Sequence, residues 1–240
     1  MLNKKLSLVT AIVVSAVASS VFAADNAKDS TFVADSSYAV GALMSKQMQQ
    51  IIESQKDLVT YDKAQVLKGF TETFNDKGKF DDKQLGEQLT KLDNVLKEKT
   101  QAKIEADAKA AEEQGAKFRA EYAKKDGVKQ TKSGLLYKIE KAGSGDVVTP
   151  EDTVKVHYKG TLVNGQEFDS SYTRGEPVEF QLNKLVKGWV EGIPLIKKGG
   201  KIQLVVPPEL GYGAQATGSI PPNSTLVFDI ELLDVTKAKK

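Results

Sequence analysis

VHYKGTLVNGQEFDSSY, residues 156–172, alternates apolar and polar side chains, breaks at an Asn-Gly pair and then resumes. Val154, Val156 and Tyr158 fall on one side of this stretch and Lys155, His157 and Lys159 on the other. That is the two-residue period of a strand with one wet face. Asn164-Gly165 predicts a type I′ hairpin turn joining a strand over 153–163 to one over 166–170. Further along the chain, Gly188-Trp189-Val190-Glu191-Gly192 reads as a short helix limited by Pro194. Gly199-Gly200 turns into a strand over 201–206, and 224–235 is a last long strand. Upstream, Leu135, Tyr137 and Ile139 alternate with Leu136, Lys138 and Glu140. The C-terminal part therefore reads as an antiparallel sheet crossed by one short helix.

All seven prolines lie at Pro150 or beyond, and the chain before that point reads as helix. Over 35–58, Tyr38, Val40, Leu43, Met44, Met48, Ile51 and Ile52 recur mostly at steps of three and four, one face of a helix. A second helix starts near Asp62, carries Val66, Leu67, Phe70 and Phe74 on one side, and is ended by Gly78. Asp81-Asp82-Lys83-Gln84 has the form of a capping box. From there Leu85, Leu89, Leu92 and Leu96 make an apolar seam that thins towards Phe118 and Tyr122. Run unbroken from 82 to 124, this third helix would be roughly 60 Å long at about 1.5 Å per residue. A helix polar around its middle cannot pack inside one small domain, so its end should dock on the C-terminal domain. Two shorter helices broken near Gly115 are the alternative. The first two helices make a thin core for a free-standing domain, which favours a core completed by a second copy over a monomeric three-helix bundle.

The first stretch has the form of an export signal. Lys4 and Lys5 precede an apolar run over 6–18, and Val21-Phe22-Ala23 suits cleavage after Ala23 or Ala24. The run is too short for a membrane span. Taking Lys4 and Lys5 from the 34 basic residues leaves 32 against 32 acidic ones, so nothing favours nucleic acid. No cysteine follows the cleavage site to carry a lipid anchor, and the chain contains none at all. These readings divide it into a signal peptide (1–24), a helical dimerisation domain (25–80), a long linking helix (81–125) and a sheet domain (126–240). The fold class is α+β, and the compartment expected is the periplasm.

Six aromatics in the sheet domain read as the walls of one apolar pocket: Tyr158, Phe168, Phe180, Trp189, Tyr212 and Phe228. One carboxylate, Asp169, directly follows Phe168. No nucleophile elbow, phosphate loop or metal-ligand cluster accompanies them, and the one histidine, His157, should face solvent on the opposite side of the strand from Tyr158. Such an inventory suits binding, or a reaction needing no nucleophile. Six aromatics in a small β-domain can also be plain core. Asp169 could merely cap a turn with Ser170 and Ser171. The glycines flanking Trp189 suggest room for a ligand above the indole.

VHYKGTLVNGQEFDSSY, VKGWVEGI (186–193) and IPPNSTLVFDIELL (220–233) together resemble the FKBP-type peptidyl-prolyl cis-trans isomerases over roughly 134–235, in family order and spacing. The helical extension and leader are similar to those of the exported bacterial members, of the FkpA and macrophage infectivity potentiator type. The resemblance implies an FKBP-like antiparallel sheet wrapped around a short helix. It places Trp189 beneath a substrate proline, Tyr158, Phe168, Phe180, Leu185, Val186 and Phe228 around it, and Asp169 and Tyr212 at the rim. The backbone around Ile220 would add a polar contact. Val178 stands where an aromatic wall residue is common, which loosens one side towards bulky macrolides of the FK506 type. Asp169, Tyr212 and Trp189 would carry catalysis, with no cofactor and no metal. The partners implied are proline-containing unfolded exported proteins and a second copy of the chain, without a membrane anchor. The reading is a periplasmic isomerase with holdase activity in its helical domain; the alternative is a chaperone or ligand-binding module with little turnover.

Overall fold

The computed structural model describes residues 30–238. The expected signal peptide, and with it the compartment, lies outside them. The chain forms two compact units that divide between Lys79 and Phe80.

In the first unit, α1 spans Ser30–Ser54 and α2 spans Lys63–Phe74. The α1 helix stops four residues short of the expected end, where Leu58 N–H bonds the Gln55 carbonyl in a turn. Asp62 caps α2, its carboxylate accepting the Ala64 and Gln65 N–H groups at 2.8 and 3.2 Å. Gly78 does not end α2. Asp76 does, at φ 56°, with Asp76 N–H on the Thr73 carbonyl and Lys77 N–H on that of Glu72. This is a Schellman motif in which an aspartate tolerates the left-handed position usually given to glycine. Neither helix buries a single residue.

In the second unit, α3 runs without a break over Asp82–Tyr122, 41 residues. Its capping box forms as expected: Gln84 N–H reaches Asp81 at 2.8 Å, and the Gln84 side chain accepts Asp81 N–H at 3.1 Å. Gly115 leaves the helix whole and serves a close approach instead. A β-carbon there would lie 2.4 Å from Thr225 Oγ1.

The sheet has seven strands: β1 (Val128–Gln130), β2 (Leu136–Lys141), β3 (Thr153–Leu162), β4 (Glu167–Ser170), β5 (Val178–Gln181), β6 (Lys201–Val206) and β7 (Leu226–Thr236). All pairings are antiparallel, in the order β1-β2-β6-β7-β3-β4, with β5 also on β3. Two short helices complete it, α4 (Ser171–Arg174) and α5 (Lys187–Gly192). Pro194 does not stop the helical path, because Ile193–Leu195 continue it as a 3-10 turn whose first residues need no N–H partner. Alternation along β6 and β7 sends Leu204, Val206, Phe228 and Ile230 to the main core and Val205 and Val227 to the other face. There they meet Phe118 and Tyr122 from the last turns of α3. The Tyr122 hydroxyl donates to Gln203 Oε1 at 2.6 Å, and Arg119 donates to the Thr225 hydroxyl. The docked end of the long helix is thus part of the sheet's packing.

The β3–β4 hairpin differs from the expected one. Type I′ needs positive φ at both central residues, but Gly165 (φ 86°) has it and Asn164 does not. Gly165 N–H closes on the Leu162 carbonyl, and the Asn164 side chain accepts Gln166 N–H at 3.0 Å. Three residues with a left-handed glycine at the end therefore make the turn.

Candidate functional site

Trp189 is 4 % exposed on α5, and three rings stand edge-on to its indole. Centroid distances are 5.1 Å to Tyr158, 5.2 Å to Phe228 and 6.1 Å to Phe180, with interplanar angles of 83–87°. Phe168 extends the series, perpendicular to Phe228 at 5.6 Å. Edge-to-face contact places the positive rim of one ring on the negative face of the next, so this cage is cohesive as well as apolar. The indole Nε1 is buried with no hydrogen-bond partner among the described residues.

Strand register puts these rings together. Phe180 lies opposite Val154 and Val178 opposite Val156, while Phe228 lies between Gly160 on β3 and Leu204 on β6. Phe168 and Asp169 are neighbours in sequence and should point to opposite faces. A bulge resolves this: Gly160 pairs with Asp169 and Thr161 with Glu167, leaving Phe168 as the extra residue. The extra residue re-aims the strand, so the ring joins Phe228 while the carboxylate still reaches Tyr158.

The Asp169 carboxylate is taken up chiefly by two side chains. Its Oδ2 accepts the Tyr158 hydroxyl and its Oδ1 accepts Arg174 Nη1. Arg174 Nη2 also donates to the Tyr158 oxygen at 2.8 Å, and its guanidinium lies 5.6 Å from the centre of the Tyr158 ring. Burial alone would raise the Asp169 pKa, but the Tyr158 and Arg174 hydrogen bonds outweigh it and hold the acid below its ordinary value of 3.8. The Tyr158 phenol is pushed up, first by burial and then by Asp169. Tyr212, 39 % exposed, is raised by burial and by the charge of Asp169, so its hydroxyl lies within that carboxylate's field.

Other expected residues take varied places. Val178, Leu185 and Val186 are half-buried against the main core, and the Val186 carbonyl accepts Trp189 N–H at 2.9 Å at the start of α5. Ile220 is 5 % exposed; its N–H donates to the Thr217 carbonyl at 3.0 Å and its carbonyl accepts the Thr217 N–H at 3.1 Å. The glycines around Trp189 do not open space over the indole. β-Carbons at Gly188 and Gly192 would each lie 2.6 Å from Val206 and Leu204, so these glycines let α5 lie flat on β6. His157 is half-buried, because α4 folds back over it: its ring stacks on Tyr172 at 4.6 Å and Nδ1 lies 2.9 Å from Ser171 Oγ.

Arg174 was not among the expected site residues. The chain holds only two arginines among its 34 basic residues, and each makes a directed contact, Arg119 to Thr225 and Arg174 to Asp169. Arginine's planar fork suits such contacts and lysine's point charge does not. That rarity was a readable signal.

Comparison with known proteins places the chain in a family. Residues 145–233 match the family described as FKBP-type peptidyl-prolyl cis-trans isomerase, and residues 33–139 the domain amino terminal to it. A probable FKBP-type peptidyl-prolyl cis-trans isomerase of Haemophilus influenzae is 51% identical over 236 residues, covering 97% of this chain and 96% of that protein. The isomerase FkpA of Escherichia coli is 44% identical over 245 residues, covering 97% and 90%. The crystal structure of Escherichia coli FkpA superposes with a TM-score of 0.72 at 47% identity, covering 85% of this chain and 97% of that one.

Proposed function

The chain belongs to the FKBP-type peptidyl-prolyl cis-trans isomerases, and on that premise we propose that the cage around Trp189 speeds rotation about X–Pro bonds of exported proteins folding in the periplasm. Rotation must break amide resonance, against a barrier of about 18–20 kcal/mol. No bond to carbon forms or breaks, so no nucleophile is needed. The twisted amide has lost the charge separation of the planar one, and apolar ring faces therefore favour it over the ground state. Lowering the barrier by about 5 kcal/mol would give three to four decades in rate.

Trp189 would lie under the proline ring, with Tyr158, Phe168, Phe180 and Phe228 as walls and Val178, Leu185, Val186 and Ile220 completing the apolar lining. Asp169, kept ionised by Tyr158 and Arg174, would fix the local field beside the twisting bond, and the Tyr212 hydroxyl would hold a substrate carbonyl. Proton transfer is not part of the reaction, so Asp169 acts by charge and geometry. The observation that carries this reading is the set of rings meeting edge-on at one buried indole, with a single clamped carboxylate beside them. A protease-coupled prolyl-peptide assay on the full chain tests it: turnover well above the uncatalysed rate is expected, and folded protein without it defeats the proposal.

The helical unit supports a second activity. Tyr38, Leu67 and Phe74 are 81%, 67% and 78% exposed on helices that bury nothing. Apolar surface of that extent marks an interaction face. We infer that it pairs with a second copy and that the paired helices hold unfolded clients. Sedimentation of the full chain should give a dimer, and a monomer at micromolar concentration would remove this part of the reading.

A further inference from the structure

One edge of β3 changes partners at Tyr158. On that edge β5 pairs with residues 153–156 and β4 with residues 159–161. Between them no strand is in register with Tyr158, and its backbone N–H and C=O would lack partners there. Ser171, fully buried at the start of α4, fills the gap. Its Oγ accepts the Tyr158 N–H at 2.8 Å and donates to the Tyr158 C=O at 3.2 Å. One side-chain oxygen does for one residue what a strand does for its neighbours.

The same oxygen touches His157 Nδ1 at 2.9 Å. A hydroxyl offers one proton and two lone pairs. With the proton on the Tyr158 carbonyl and one lone pair on its N–H, the other lone pair is left for a proton on Nδ1. That tautomer satisfies the Ser171 hydroxyl and both backbone groups of Tyr158. The His157 ring is itself steadied by its stack on Tyr172. What the splice holds is the residue that donates to Asp169 and stands edge-on to Trp189. A small rotation of the backbone at 158 is carried along the side chain to the phenol oxygen.

We propose that Ser171 is a positioning residue of the isomerase: its hydroxyl splices the interrupted edge of β3 and so sets the angle at which Tyr158 presents its phenol to Asp169, with His157 locking the hydroxyl in place. The inference rests on the isomerase reading of the cage and names how that site is held.

The test uses the full chain with Ser171→Ala, His157→Phe, Asp169→Ala and the Ser171→Ala/Asp169→Ala pair, measuring kcat and KM on a prolyl peptide and the Tyr158 amide exchange rate by NMR. In Ser171→Ala, kcat should fall about tenfold with KM little changed. The Tyr158 amide should exchange at least about tenfold faster, while Val156 and Gly160, bonded to strands, keep their rates. In the Asp169→Ala background the serine change should cost almost nothing more, because both act through one hydrogen bond. His157→Phe keeps the stack and should lose about threefold in kcat. A Ser171→Ala protein with wild-type kcat, or one whose loss is undiminished in the Asp169→Ala background, overturns the proposal. If Ser171→Ala fails to fold, His157→Phe decides, and wild-type kcat there overturns it. A wild-type chain without turnover overturns the isomerase reading and this proposal together, whereas an active wild type with an equally active Ser171→Ala overturns this proposal alone.

Discussion

Tyr158 donates its phenolic proton to Asp169, eleven residues further along the chain and across a bulged strand pair. Arg174 completes the contact by bonding both oxygens at once. The three side chains form a closed triangle beside the ring cage, and its charge is the part of the site most open to chemical test.

Asp169→Asn keeps the shape and removes the charge, and kcat/KM should fall roughly tenfold or more. Arg174→Met should lose less, since Tyr158 still donates. Thermal stability should hardly move in either, because the ion pair is solvent-accessible on both sides. The lowered pKa of Asp169 fixes the pH response: the charged form persists from neutrality downward, so kcat/KM stays level until pH drops below the ordinary value of 3.8. A decline already complete at pH 5 would contradict this.

Two glycines of α3 should respond with opposite sign. Gly115 lies against Thr225, and Gly115→Val must push the helix off the sheet, costing about 1–3 kcal/mol. Nothing lies within 4 Å of a β-carbon at Gly86, where Gly86→Ala should stabilise by about 0.5–1 kcal/mol. Thermal unfolding of both variants checks the pair.

Asp152 fastens the end of the chain. Its buried carboxylate accepts the Thr149 N–H at 2.8 Å, the Ala238 N–H at 3.1 Å and the Lys237 ammonium at 2.8 Å. Burial would raise its pKa, but Lys237 and the backbone N–H groups outweigh that and bring it from 3.8 to about 2. A folded-state value below the unfolded one stabilises above the unfolded pKa and is lost as pH falls through the folded one. The contribution, on the order of 2 kcal/mol, should therefore be complete at pH 5 and gone below pH 2. Denaturant unfolding of Asp152→Asn should show a clear deficit at pH 7 that shrinks over that window.

Val178 sits half-buried on β5 opposite Val156, packed against the main core. Val178→Phe adds ring surface to that side of the cage. Binding of an FK506-type macrolide should tighten by about tenfold, following the apolar area gained. Calorimetric titration of both proteins measures it, and equal affinity would separate Val178 from the ligand wall.

Much of this was legible beforehand because period and turn chemistry are local. The capping box at Asp81, the long third helix and the strand around Tyr158 need only a few neighbouring residues to be read. Contacts across the sheet were less legible. The bulge at Phe168 depends on how two strands slip against each other, and the role of Gly188 and Gly192 depends on which side of α5 meets β6. Ser171 looked like a turn residue because a gap in one edge of β3 appears only once β4 and β5 are both in place. Asp76 ended α2 where Gly78 was expected, since the left-handed position is set by where the helix runs out and not by the nearest glycine.

The one tryptophan of the chain stands at the centre of the ring cage. The protein consequently carries its own optical gauge. Indole emission arises from a single place, with no second tryptophan to dilute it, and that place is where a proline ring would come to rest. A peptide or macrolide entering the cage should register directly in the spectrum, so occupancy can be followed in real time on unlabelled protein, independently of whether any bond has turned.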